Sequence, residues 1–178
     1  MRWNLWLFLV RRSLYVENDI RFTEGLNMGE DMMVMMKLFI CAGKVGIVHR
    51  PFYHYRQSNP ESLTKIYSQE HIIQVANNVY EVEKYVNASA YADSLIEFIP
   101  FLKLNIKLPL LITDDKSHYE QWLECFPEAN CYVMNNKLLP LRTRIIQWMA
   151  VKRYFILLRL YYCPCLFNGW CYYGIIYK

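Results

Sequence analysis

The chain has 178 residues, 54% of them hydrophobic and 20% charged, which excludes a disordered tail and suffices for one buried core with an appendage. Its net charge of +4 is unevenly spread: residues 1–128 carry all sixteen acids against thirteen bases, whereas residues 129–178 carry seven bases and no acid. That asymmetry points to an anionic partner for the C-terminal end.

Trp3 to Val10 is apolar and about as long as the core of a signal peptide. Yet Arg11 and Arg12 follow it and no small-residue cleavage site does. It is too short to span a bilayer, so it reads as a packed segment. Residues 10–17 predict a short helix, followed by a loop punctuated by Gly25 and Gly29. From 31 to 42 the pattern is a helix that is apolar nearly all round and therefore buried, with Gly43 as its stop. Residues 45–48 and 52–56 read as short strands separated by Pro51, and 57–64 as a turn.

Beyond that the periodicity turns helical. Ile72, Ile73, Val75, Ala76, Val79, Val82 and Val86 predict a helix over 68–87. A second is expected over 89–106, bent at Pro100, and a third over 116–126. In "LPLLITDDKSHYEQW" the acids read as a helix entry capped by Thr113 or Asp114, not as metal ligands after a strand. A long apolar helix is expected over 141–162, ended by Pro164. The six cysteines form no regular framework and read as reduced thiols. Cys163, Cys165 and Cys171 supply three thiolates where structural zinc needs four ligands.

Glu30 and Asp31 stand where the first long helix begins, and two readings compete. Acids in a first turn favour the helix by about 0.3–1 kcal/mol, through its unpaired N–H groups and dipole. Alternatively, one of the pair is a catalytic base.

The order of elements around the pair bears on that choice. "RRSL", "RFTEG", "GED" opening an apolar helix, a short strand, "PFYHYR" and "SLT" follow one another over residues 11–65. This stretch, roughly a third of the chain, resembles the C-terminal half of the catalytic domain of family 2 glycosyltransferases, of the bacterial kind that builds capsule and other surface polysaccharides. The resemblance implies an α/β class, a partial A-type nucleotide-diphospho-sugar transferase fold, followed by a mainly α-helical C-terminal region. Residues 1–66 would be the acceptor-side part of the catalytic domain, 67–136 a helical extension, and 137–178 a basic, aromatic, membrane-leaning segment.

It also implies roles. Asp31 corresponds to the general base that takes the acceptor hydroxyl's proton, and Glu30 would orient the acceptor or Asp31. A carboxylate beside an apolar helix and a second acid holds its proton more tightly. His54 and Arg56, two apart on a strand, share a face toward the donor's diphosphate, or are ordinary polar residues of a half-exposed edge. In the family, the nucleotide-binding strand and an Asp-x-Asp type motif for a divalent metal (Mg or Mn) lie far upstream of the acidic pair. Only 29 residues precede Glu30. The chain is thus expected to be an N-terminally incomplete member, inactive alone and without a cofactor of its own. The complete enzyme would move a sugar from a nucleotide-diphosphate donor to a glycan or lipid-linked acceptor. The alternative is a non-catalytic, membrane-peripheral helical protein derived from such an enzyme.

For the acid-free end, a transmembrane helix over 154–177 is interrupted by Arg159, Pro164 and Gly169. Nucleic-acid binding needs an exposed groove, which so apolar a segment does not suggest. An interfacial segment, with aromatics at headgroup depth and arginines on anionic lipid, competes with plain core packing. The expected partner is an anionic membrane surface and the expected location is cytoplasmic, at the inner face of the membrane. No nucleic-acid partner is expected.

Overall fold

The structure, a computed structural model, describes residues 3–54, 69–112 and 115–167, with the side chains of the last helix described as far as Tyr161. The chain divides into two compact units, Met1–Leu95 and Ile96–Lys178.

The first unit is built on α2 (Glu30–Cys41) packed against α3 (Gln69–Asn87), with α1 (Arg12–Glu17) and a 3₁₀ turn at Leu5–Leu7 lying on α2. Five consecutive residues of α2, Met32 to Met36, are buried, as is Leu38. A helix covered on several sides needs apolar residues all round, and methionine's flexible side chain fills irregular gaps between such layers. From α3 come Val79, Val82 and Val86, all fully buried at helical spacing. A short α4 (Ala92–Leu95) ends the unit.

The loop before α2 is fastened to α3. Asn78 Nδ2 donates to the Met28 carbonyl (2.8 Å), and the Asn27 N–H donates to Gln74 Oε1 (3.0 Å). Gly29, the N-cap of α2, has φ +81°, and a Cβ there would sit 3.3 Å from Val75 Cα. Backbone conformation and close approach both demand glycine at this position.

Residues 43–54 differ from expectation. Among the described residues there is no strand, and 43–54 make no hydrogen bond. The expected α/β class, with its partial A-type nucleotide-diphospho-sugar transferase fold, is therefore corrected: the described part of the first unit is helical. Alternating and β-branched residues specify a strand only when a neighbouring strand takes up their N–H and C=O groups, and no such neighbour is present among the described residues. Val45, Ile47 and Val48 are instead exposed by 61%, 83% and 60%. Of the second expected strand, Tyr53 stacks on Trp6 with ring centroids 4.9 Å apart, and residues 55 and 56 lie outside the described residues.

The second unit comprises α5 (Phe98–Ile106), a 3₁₀ turn at Leu108–Leu111, α6 (Lys116–Glu124), a 3₁₀ turn at Pro127–Tyr132, α7 (Leu141–Val151) and α8 (Phe155–Phe167). The helix expected over 89–106 is two, α4 and α5, and Pro100 sits harmlessly in the first turn of α5, where its missing N–H has no helical partner to lose. Asp115 caps α6: its Oδ1 accepts the Ser117 N–H at 2.9 Å, while Thr113 and Asp114, the expected caps, lie outside the described residues. The long helix expected over 141–162 is also two. Arg153, at φ +58°, closes α7 with bonds from Arg153 N–H to the Ala150 carbonyl and from Tyr154 N–H to the Met149 carbonyl. This is the left-handed C-terminal cap that glycine ordinarily supplies. Pro164 does not end the last helix, which runs on to Phe167.

Lys107 organises this unit's core. Only 2% exposed, it donates from Nζ to the carbonyls of Trp122 (3.1 Å), Cys125 (2.6 Å) and Phe126 (3.3 Å) and to Asn130 Oδ1 (2.5 Å). Its Nζ also lies 4.1 Å from the Trp122 ring centroid. The cation thus takes up the Trp122 carbonyl of the last turn of α6 and the Cys125 and Phe126 carbonyls just after it, the last shared with the Ala129 N–H, and holds Phe126 in the left-handed region, φ +51°.

Candidate functional site

The acidic pair lies at the first turn of α2, fixed by the loop that Asn78, Gln74 and Gly29 anchor. Both acids are half-buried, and they do different things. Asp31 reaches away from its own helix: its Oδ2 accepts the Leu5 N–H at 3.1 Å and so tethers the Leu5–Leu7 turn. Its Oδ1 takes no hydrogen bond from the described residues. Glu30 stays local. Burial pushes its carboxyl up, its own backbone N–H pulls part of the way back, and the neighbouring Asp31 charge raises it again. Tyr15 of α1 completes the group, its phenol raised by burial and then by the Asp31 carboxylate.

Chemically, this is a carboxylate oriented by a backbone donor, with one oxygen that takes no hydrogen bond from the described residues, beside a second carboxyl that holds its proton more tightly than an ordinary glutamate. Such a pair can accept a proton and hand on a hydrogen bond. Neither Leu5 nor Tyr15 was readable beforehand. A backbone N–H leaves no mark in a sequence, and Tyr15 is one of fifteen tyrosines.

His54 is exposed and makes no hydrogen bond or ion pair among the described residues. Arg56 lies outside them. For a divalent metal, the described residues contain no group of three or more His, Cys, Asp or Glu side chains able to hold an ion. Glu30 and Asp31 alone, with one Asp31 oxygen already accepting an N–H, do not fit such a site. Cys163 and Cys165 have no described side chains, and Cys171 lies beyond the described residues.

A cavity lies elsewhere on α2. About 930 Å³ in volume, it opens between residues 7–14, the C-terminal half of α2 and the segment 42–52. Among the described residues its wall includes no carboxylate. Asp31 and Leu38, seven residues apart, are separated by roughly 10 Å of helix rise.

No family model, curated protein or solved structure matches this chain. The assignment of a function therefore rests on the residues and their geometry. No helix among the described residues is long and apolar enough to cross a membrane.

Proposed function

We propose that the chain is part of a glycosyltransferase, in which Asp31 deprotonates the hydroxyl of a glycan or lipid-linked acceptor as it attacks the sugar of a nucleotide-diphosphate donor. The observation that carries this reading is the Asp31 carboxylate itself: one oxygen is fixed by the Leu5 N–H and the other takes no hydrogen bond from the described residues. A base must be held in position and yet keep a lone pair for the incoming proton. Glu30, with its raised carboxyl, is suited to hold the acceptor in the same turn. His54 would meet the donor's diphosphate, for which its exposure leaves it accessible.

The test is sugar transfer by membranes from cells that carry the chain, comparing wild type with Asp31→Asn at matched protein level. The amide keeps size and hydrogen bonding but takes no proton, so transfer should fall about 10²–10⁴-fold. Retention of more than a tenth of the activity would leave Asp31 as a structural tether for the Leu5–Leu7 turn.

A separate observation favours a peripheral membrane location, which is shared with the alternative of a non-catalytic membrane-peripheral helical protein. On α7, Leu141, Ile145 and Trp148 are exposed at helical spacing, and on α8 so are Ile156, Leu157 and Leu160. The two stripes adjoin at the hairpin tip, where the Trp148 and Tyr154 rings meet edge to face at 5.8 Å. Arg142, Lys152 and Arg159 are exposed on the same two helices and their connection, with no acid from 129 onward. This combination suits an anionic headgroup layer, on the cytoplasmic side of the membrane. Binding to anionic vesicles should weaken but persist as salt rises, since only the charge contribution is screened. Vesicle binding together with an Asp31→Asn replacement that leaves transfer unchanged would select the non-catalytic alternative; no binding at low salt would return these residues to an ordinary protein surface.

A further inference from the structure

We infer that the cavity on the C-terminal half of α2 is a binding site for a single-chain anionic amphiphile, a long-chain carboxylate. This goes beyond the transferase reading and stands independently of it. At about 930 Å³ the cavity falls within the range of small-molecule sites, roughly 300–1,000 Å³. Its floor is apolar, formed by Leu7, Leu14, Met35, Leu38 and Phe39, with Phe8 packed edge to face on Phe39 at 5.6 Å. An extended hydrocarbon chain is what such a lining accepts.

The charge at its edge selects the head group. Arg11 and Lys44 both line the cavity, both are exposed, and neither side chain makes an ion pair or hydrogen bond among the described residues. Ser13 adds a hydroxyl. With two unengaged cations and no carboxylate among the described residues of the wall, a monoanion with an apolar tail is complementary, and a neutral lipid is not distinguished. The outer wall, residues 42–48 with Phe52, includes residues 43–48 that make no hydrogen bond of their own. A chain can therefore enter beside it without breaking backbone pairing.

The experiment is calorimetric titration of the full chain with oleate below its micellar concentration, with stoichiometry from native mass spectrometry. Oleyl alcohol serves as the uncharged control. Saturable one-to-one binding of oleate is expected. Arg11→Gln/Lys44→Gln should weaken oleate at least tenfold and leave oleyl alcohol unchanged. Ala42→Phe/Gly46→Phe should abolish both; a Cβ at Gly46 would meet nothing within 4 Å, so the backbone there has room for a side chain, and circular dichroism would verify that the fold is kept. Trp148→Ser/Ile156→Ser in the second unit should bind oleate as wild type does. This separates the inference from the proposed membrane-binding role. Absence of saturable binding would overturn it. So would equal loss of both ligands in Arg11→Gln/Lys44→Gln, binding that survives Ala42→Phe/Gly46→Phe, or a wild-type dimer that only those replacements dissociate, which would make a second copy the occupant.

Discussion

Two irregular stretches follow two helices, and they treat their backbones in opposite ways. After α6, residues 125–130 turn inward, and three carbonyls with an amide oxygen converge on Lys107 Nζ. After α2, residues 43–54 make no hydrogen bond among the described residues and leave Val45, Ile47 and Val48 in solvent. The first stretch carries backbone strain at Phe126 and is held by a buried cation. The second is held chiefly by side-chain contacts such as the Trp6–Tyr53 stack. The contrast teaches that polar satisfaction, not hydrophobicity, decides which non-helical segment is fixed. The apolar content of 45–53 is no smaller than that of 121–129.

The strongest challenge to this contrast is Lys107→Met, which keeps the apolar stem and removes the donor. Buried acceptors left unpaired cost about 1–3 kcal/mol each, partly offset by no longer burying a charge. A net loss of about 2–4 kcal/mol is expected by denaturant unfolding. A change below about 0.5 kcal/mol would mean that packing alone holds residues 125–130.

Gly29→Ala asks the same question of the first unit. The substitution forces alanine to φ +81° and presses a Cβ against Val75 Cα at 3.3 Å. Left-handed strain of about 1–2 kcal/mol plus the close contact predicts a loss of about 2 kcal/mol. The loop that carries Glu30 and Asp31 should shift with it. An unchanged unfolding midpoint would show that the Asn78 and Gln74 bonds do not fix the site.

How much of this was legible beforehand follows the same physics. The start of α2 was readable because Gly29 and two acids mark it, and α3 because its valines recur at helical spacing. The strand expected at 45–48, and the described part, 52–54, of the one expected over 52–56, were misread because a strand pattern reports what a segment would do beside a partner, and none is paired with them among the described residues. Arg153 gave no sign of ending α7, since only the bonds from the Arg153 N–H to Ala150 and from the Tyr154 N–H to Met149 do so. Lys107 looked like any surface lysine; its burial depends on four acceptors 15 to 23 residues away. Of the candidate site, the acidic pair was visible, but its division of labour was not. That division depends on a backbone N–H from Leu5.

Lys107 also predicts a pH dependence. Burial lowers its pKa from 10.5 to about 8, while Cys125 and Glu128 pull the other way. Below pH 8 the lysine is charged in both folded and unfolded chains, so the cost of burying the charge is present in full. As pH rises through 8 the folded protein releases the proton and the unfolded chain keeps it until about 10.5, so stability rises. Between pH 7 and 9 wild type should gain about 1 kcal/mol relative to Lys107→Met. The comparison is best made with Cys125→Ala in both proteins. Burial raises that thiol, and its contribution runs the other way, lost as pH climbs through its folded value. A difference that is flat with pH would show Lys107 remaining charged throughout.

The smallest effect is expected at Arg153, the turn between α7 and α8. Replacing it with glycine removes left-handed strain of about 1 kcal/mol, but it also frees the unfolded chain and loses the Glu120 ion pair at 2.9 Å. Both partners of that pair are more than a third exposed, so solvent screens it and its contribution is well under 1 kcal/mol. The opposing changes should nearly cancel, leaving Arg153→Gly within about 0.5 kcal/mol of wild type. Arg153→Ala separates them: it loses the ion pair and keeps the strain, so it should be the less stable of the two variants by several tenths of a kcal/mol. If Arg153→Ala and Arg153→Gly unfold together, the φ of +58° is not costly here, and the Tyr154–Trp148 contact sets the turn instead.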